Sequence, residues 1–236
     1  MEQVRTVSDT KRNFYAHHTR PINSIYRRVV EELLVEMHLL SVNVDFKVDP
    51  IFCLGVVTSF DRFMQGYKPE RDKDSIFSAL CQSVGGEPQK YRQEAEGVLA
   101  VAKQKSGEDF VSWMTSPQPT DAGDNLASAI NQIANNPQFK YSRLFAIGLY
   151  TLLEQADPEL VKDQEKRQEV LKKISEALHL SPEKLEKDLD LYRSNLEKMS
   201  QVLVVLEEAL EAERKKQEKR TSDKLKKEET QENNSP

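Results

Sequence analysis

The sequence predicts an all-α protein, with a helical bundle core and a long C-terminal helix that carries a heptad repeat. Apolar residues recur three or four positions apart along nearly the whole chain, which is the period of an α-helix. The chain has only 8 glycines, and no alternating apolar and polar run is bounded by hairpin turns. Near the C-terminus the apolar steps alternate strictly between four and three, which is typical of a coiled coil.

The composition limits the class of protein. A chain of 236 residues with 38% hydrophobic residues can form one core and an extension. Its formal net charge of −5 gives no support to nucleic-acid binding. The N-terminal sequence is polar and predicts neither a secretory signal nor a transit peptide, and the longest apolar run, residues 51–57, is too short to span a bilayer. We therefore expect a soluble or peripheral protein.

The first long helix is predicted to begin at Asn23 or Ser24, because either side chain can cap the free N–H groups of a helix. We expect it to end near Val44. The apolar residues of its buried side are spaced three or four apart and comprise Ile22, Tyr26, Val29, Val30, Leu33, Met37 and Leu40.

A second helix is predicted over residues 51–64. Asp49 can cap it, and Pro50 suits the first helical position, where its missing N–H costs nothing. This helix is apolar on almost every side at its start, so we expect it in the centre of the core. Gly66 suits the C-cap.

Four further helices complete the predicted core. The sequence places breaks between them at glycine pairs and prolines. The first is opened by Asp72 or Asp74 and ends near Val84, and the second runs from Pro88 to about Lys105. The third is capped by Asp124 after a loop at residues 116–119 and ends near Ala134, and the fourth covers residues 139–155.

The composition changes at Asp157-Pro158. From residue 158 onward, 17 basic and 19 acidic residues fall in 79 positions. A helix over residues 158–178 is followed by a cap and a first-turn proline, Ser181-Pro182, and then by the seam of the repeat: Leu185, Leu189, Tyr192, Leu196, Met199, Leu203, Leu206 and Leu210. We divide the chain into a helical core of residues 1–156, a charged coiled-coil-like extension of residues 157–212 and a disordered charged tail of residues 213–236.

The chain shows no pattern typical of catalysis, metal binding or cofactor binding. The four histidines lack metal-site spacing. Cys53 and Cys81 lie in apolar contexts, which predicts buried, reduced thiols. The pair Gly85-Gly86 is not followed by the lysine of a phosphate-binding loop and favours a helix end. We therefore expect a non-enzymatic protein with no cofactor and no metal.

Two features remain as candidates for binding a partner. The first is a basic face formed by Arg20, Arg27 and Arg28, which could meet an acidic partner or anionic lipid head groups. Its alternative is an ordinary charged helix face with acidic residues mixed in.

The second candidate is the leucine seam, represented by Leu189, Leu196, Leu203 and Leu210. One interpretation is an antiparallel pairing with the helix of residues 158–178 in the same chain. The other is an intermolecular coiled coil or a docking site for another protein, in a chain that is a monomer or a weak dimer.

Four stretches in order, TVSDTKRNFY, RPINSIYRRVVEELLVEMHLLSVNVDF, DPIFCLGVVTSFDRFMQGY and DSIFSALCQSVGG, closely resemble the thylakoid-formation family, also called photosystem II biogenesis proteins. The similarity runs from residue 4 to about residue 212. It implies a helical, non-enzymatic protein that acts in photosystem II assembly and repair and in thylakoid formation.

The resemblance also implies partners and a location. Family members bind membrane-anchored AAA proteases of the FtsH type and act on photosystem II assembly or repair intermediates. Plant members carry a transit peptide, whereas this chain starts at Met1 without one. We therefore expect a cyanobacterial member, in the cytoplasm and peripherally associated with the thylakoid membrane.

Overall fold

The computed structural model describes residues 5–116 and 125–232, with side chains described through residue 217. Eleven helices and no strand occur in these ranges, which confirms the predicted all-α class. The helices are α1 (Val7–His17), α2 (Ser24–Ser41), α3 (Pro50–Phe63), α4 (Asp72–Ser83), α5 (Pro88–Lys103), α6 (Gly107–Thr115), α7 (Asn125–Ala134), α8 (Arg143–Ala156), α9 (Pro158–Lys162), α10 (Gln164–Ala177) and α11 (Pro182–Glu232).

Short polar side chains start the helices where the sequence predicts caps. Asn23 accepts a hydrogen bond from the Ile25 N–H at the start of α2. Asp49 accepts one from the Phe52 N–H at 2.9 Å, and Pro50 is the first residue of α3. These contacts satisfy N–H groups that have no partner within the helix.

The centre of the core is the crossing of α3 and α8. Nearly every residue of α3 from Ile51 to Phe60 is buried, and so are most residues of α8. The backbones approach so closely that a Cβ atom at Gly148 would lie 1.9 Å from the Ile51 carbonyl oxygen, and one at Gly55 would lie 1.7 Å from the Leu144 carbonyl oxygen. Only glycine fits at these two positions.

Three predicted helices need correction. The helix predicted over residues 139–155 begins only at Arg143, because the Ser142 side chain caps the Phe145 N–H in an extended conformation. The helix predicted over residues 158–178 is broken at Asp163, whose side chain accepts from the Lys166 N–H and starts α10. The first long helix ends at Ser41, before the predicted Val44.

Helices α1 and α6 are absent from the prediction. In α1 only Thr10 and Phe14 are buried, so the apolar signal is faint, although Thr6 and Asp9 form a reciprocal cap at its start. The predicted cap Asp124 and most of the loop of residues 116–119 lie outside the described residues.

The chain divides into two compact units, Met1–Arg193 and Ser194–Pro236. The first unit extends well past the predicted boundary at residue 156, because α9, α10 and the start of α11 supply Val161, Leu171, Ile174, Leu185 and Leu189 to the core cluster. In the second unit the helix α11 continues to Glu232, where the sequence predicts a disordered tail. Glutamate and lysine favour helix, and an ion pair of the i,i+4 type joins Glu211 and Lys215 at 3.9 Å.

The turn between α10 and α11 is a Schellman motif. The Leu180 N–H donates to the Ser175 carbonyl at 2.8 Å, and the His179 N–H donates to the Glu176 carbonyl. His179 occupies the left-handed position of this motif, with a φ of 56°. Among the described residues, none of the helices is long and apolar enough to cross a membrane.

Candidate partner-binding surfaces

The predicted basic face is largely neutralised by carboxylates. Arg20 lies 3.0 Å from Asp72, whose side chain is only 4% exposed, so this arginine compensates a buried charge. Arg28 pairs with Glu32 at 3.0 Å along α2. Arg27 is exposed on the same helix and contributes to the electrostatic environment of Glu31.

Neighbouring cations are also used within the fold. Lys11 lies 2.9 Å from Glu31, and the Tyr15 hydroxyl donates to the same carboxylate at 3.0 Å. The hydrogen bond from Lys11 is the main reason that the pKa of Glu31 is lowered. Arg5 donates to the carbonyls of Ser83 and Val84 at the end of α4. These contacts fasten α1 to the core and leave little free positive charge for a partner.

A groove of about 1020 Å³ lies beside α2, near the N-terminal ends of α8 and α11. Its walls carry charges of both signs, and six of these charges form three ion pairs within the groove. Arg143 lies 2.6 Å from Glu36, and the Tyr141 hydroxyl donates to Asp188 at 2.9 Å. Burial, with help from Asp188, raises the pKa of Tyr141, so this hydroxyl keeps its proton. The groove therefore favours neither an anionic nor a cationic ligand.

Two buried histidines attach α1 to its neighbours. His38 of α2 shares a hydrogen bond of 2.8 Å between its Nδ1 and the Thr10 hydroxyl. His18, just after α1, shares one of 2.9 Å with the Ser75 hydroxyl of α4. Burial lowers the pKa of both imidazoles below the usual value. We assign them a structural role.

The groups that could carry chemistry are shielded or dispersed. Cys53 and Cys81 are both buried and free, and burial raises the pKa of Cys81 to about 12 and that of Cys53 as well. Such thiols are protonated at neutral pH and are poor nucleophiles. Among the described residues, no group of three or more histidine, cysteine, aspartate or glutamate side chains is arranged to hold a metal ion.

The N-terminal part of the leucine seam belongs to the core. Leu185 is fully buried, Leu189 is 2% exposed, and Tyr192 is buried with its ring 5.9 Å from that of Phe63. The Gln168 side chain of α10 donates to Glu186 of α11. This part of the seam is therefore covered by the chain's own core, and Leu189 has no surface to offer a partner.

The C-terminal part of the seam, in the second unit, is accessible. Leu196 and Leu203 are half-buried, and Leu210 is 55% exposed. Three valines of the same segment are also exposed: Val202, Val204 and Val205. The prediction missed them because it followed the heptad alone, although the unbroken apolar run of residues 202–206 in a charged helix is a visible signal.

Known proteins resemble this chain over almost its full length. The profile of the family described as "Thylakoid formation protein" matches residues 6–221. Protein Thf1 of Trichormus variabilis is 64% identical over 220 residues, which cover 93% of this chain and 94% of that relative. Protein Thf1 of Gloeothece citriformis is 62% identical over 219 residues, covering 92% and 97%. A solved structure of Psb29 matches with a TM-score of 0.77 and 46% identity, covering 90% of this chain and 98% of that one.

Proposed function

Because the chain belongs to the thylakoid formation protein family, as the resemblance in its sequence indicates, we propose that it is a non-enzymatic accessory protein of photosystem II biogenesis and repair and of thylakoid formation. It acts by binding and stabilising a membrane AAA protease complex of the FtsH type. It works in the cyanobacterial cytoplasm, peripherally associated with the thylakoid membrane.

The observation that carries this proposal is the exposed apolar side of the helix in the second unit. Large apolar side chains that stay in contact with water cost free energy, and a contiguous group of them marks a surface that binds another protein or a membrane. Here Val202, Val205 and Leu210 are 45%, 65% and 55% exposed. A surface of this kind supports binding as the mode of action.

The test is direct binding between the purified chain and a purified FtsH-type protease complex in detergent. Replacing Leu196 and Leu203 by aspartate places two charges on the apolar side, and we expect binding to fall at least tenfold. The matched control places aspartates at Gln201 and Val204, on the other side of the same helix, and should bind like the wild type. Equal binding by both double variants would contradict the role of this surface.

A truncated chain provides a second test, and the structure fixes where it should end. Removal of everything after residue 178 would delete Leu185 and Leu189 from the core and would confuse unfolding with lost binding. A chain that ends at Arg193 keeps the first compact unit whole. We expect this chain to fold and to lose protease binding.

Lipid binding through the basic face is the alternative function. It has less support, because Arg20 and Arg28 are paired with Asp72 and Glu32. The measurement is flotation with vesicles that contain anionic lipid, at low and high salt. Salt-sensitive flotation that Arg27→Ala abolishes would favour the lipid alternative over protease binding.

A further inference from the structure

The apolar side of the helix at residues 194–213 is wider than a heptad seam. Successive residues of an α-helix are rotated by about 100°, so Val202 and Ala209 extend the stripe of Leu203 and Leu210 on one flank. Val205, which is 65% exposed, extends it further on the same flank. Together these side chains cover about half of the helix circumference.

This width decides how many helices can cover the face. A two-stranded coiled coil buries only the two seam positions of each heptad, and the flanking positions stay at its border with water. A stripe that includes a third position is typical of a helix that packs against two neighbours in a bundle. One partner helix would leave Val202 or Val205 exposed, whereas a groove between two helices covers both.

The charges of this segment indicate the chemistry of the groove. Residues 194–213 contain five glutamates and one lysine, Lys198. Four of the glutamates, Glu197, Glu207, Glu208 and Glu211, fall on the polar side of the helix. The fifth, Glu213, takes the seam position after Leu210 and ends the apolar stripe. A partner that presents lysine or arginine along the glutamate edge is therefore favoured over one with acidic walls.

A second copy of this chain fits the face poorly. In a two-stranded coiled coil Val202 occupies position g of the heptad and Glu207 occupies position e. A parallel pair of copies places the charged Glu207 of one copy against the apolar Val202 of the other. An antiparallel pair brings the two Glu207 side chains together, and their like charges repel.

We propose that the helix of residues 194–213 docks into a groove between two packed helices of a partner protein, with an apolar floor and a basic wall along the glutamate edge. This inference rests on the proposed function and adds the shape and charge of the partner's site. Val202 and Val205 enter the groove, and Val204 faces water.

The valines provide a matched set of variants for full-length protein. Val202→Lys and Val205→Lys place a charge on the proposed face, whereas Val204→Lys places the same charge on the opposite side, at a residue of similar exposure (53%). With a purified FtsH-type protease complex as the probe, we expect the dissociation constant to rise at least tenfold for the first two variants and less than twofold for the third. Glu207→Lys with Glu211→Lys should weaken binding at least tenfold and reduce its salt dependence.

Photo-crosslinking separates the two proposals. Benzoylphenylalanine is placed at position 202, 204 or 205 of the full-length chain in thylakoid membranes, and the adducts are mapped by mass spectrometry. Adducts from 202 and 205 on two different helices of one partner, with none from 204, support the groove. If that partner is not the protease and the protease does not bind the wild type, only the proposed function fails.

Other outcomes overturn the groove itself. Normal protease binding by Val205→Lys, adducts on a single partner helix, or adducts equally strong from 204 would each contradict it. Adducts between two copies of this chain would show that the face is a self-association surface. Absence of both protease binding and adducts would overturn the groove and the proposed function together.

Discussion

Gly148→Ala should destabilise the first unit by forcing α3 and α8 apart. The new methyl group would lie 1.9 Å from the Ile51 carbonyl oxygen and 3.0 Å from the Gly55 nitrogen. Ordinary contact begins at 3.4 Å, so the helices must separate by roughly 1.5 Å at this point. Both obstructing atoms belong to the backbone of a central helix, and no flexible side chain can move aside.

The loss of stability follows from the gaps that open between side chains when the two helices separate. Side chains on both helices are buried at their contact, among them Leu54, Phe145 and Leu152. A gap of even 0.5–1 Å forfeits about a quarter to a half of the dispersion energy of each contact. Overpacking ordinarily costs about 1–3 kcal/mol, and the rigid obstruction places Gly148→Ala at about 3 kcal/mol or more. For a chain of this size the melting temperature should fall by about 6–12 °C.

Gly97→Ala is the matched control, because it makes the same chemical change in open space. Gly97 lies inside α5, and no heavy atom is found within 4 Å of a Cβ built there. Alanine should stabilise the helix by about 0.5–1 kcal/mol. Urea unfolding followed by the fluorescence of the single tryptophan, Trp113, reports on the first unit for all three proteins. A Gly148→Ala midpoint equal to or above that of the wild type would refute the close-approach explanation.

Three further predictions concern stability. His179→Gly should raise the free energy of unfolding by about 0.5–1 kcal/mol in urea melts, because glycine occupies the left-handed position without strain, and a loss of stability would contradict this. In the same melts, Leu189→Ala should lower the free energy of unfolding by about 2–5 kcal/mol and Leu203→Ala by less than about 1 kcal/mol, because only Leu189 is buried in the core. Equal losses would contradict the division of the seam into a buried and an accessible part. Burial lowers the pKa of His38, so the folded protein favours the neutral imidazole. The contribution of His38 to stability is therefore complete above about pH 6.5. Below that pH it falls by up to about 1.4 kcal/mol per pH unit until the pKa of the folded state is reached. His38→Gln should therefore lose less stability than the wild type when the pH is lowered from 7.5 to 5.5. Burial raises the pKa of Asp49 to about 6, which has the opposite effect on stability, but this effect is the same in both proteins and cancels in the comparison. Equal losses in the two proteins would show that His38 does not titrate in this range.

Local chemistry made much of the fold predictable. The start of α3 follows from Asp49 and Pro50, since a capping carboxylate and a first-turn proline act within a few residues of each other. The start of α8 was wrong for a reason of the same kind. Apolar periodicity extends back to Phe139, but the Ser142 side chain takes the cap and holds its own backbone extended.

The elements that the sequence did not predict depend on distant residues. Helix α1 buries only Thr10 and Phe14, and its attachment uses Lys11 with Glu31 and Thr10 with His38. None of these pairs is close in sequence, so no local window contains the signal. Gly148 is similar: its presence inside an apolar helix hints at a close approach, but the partner backbone is visible only in the structure.

The seam shows why a candidate surface could be predicted only in part. Leu189 and Leu203 occupy the same heptad position and are identical in chemistry, yet one is 2% exposed and the other lies beyond Arg193, in the second unit. Periodicity records which side of a helix is apolar, and it is the same whether the chain's own core or another protein covers that side. What distinguishes the two parts is the flank: the accessible part adds Val202, Val205 and Ala209 to the stripe, which a two-stranded seam does not use. Width together with exposure therefore identifies the interaction surface, whereas the heptad alone identifies only the helix.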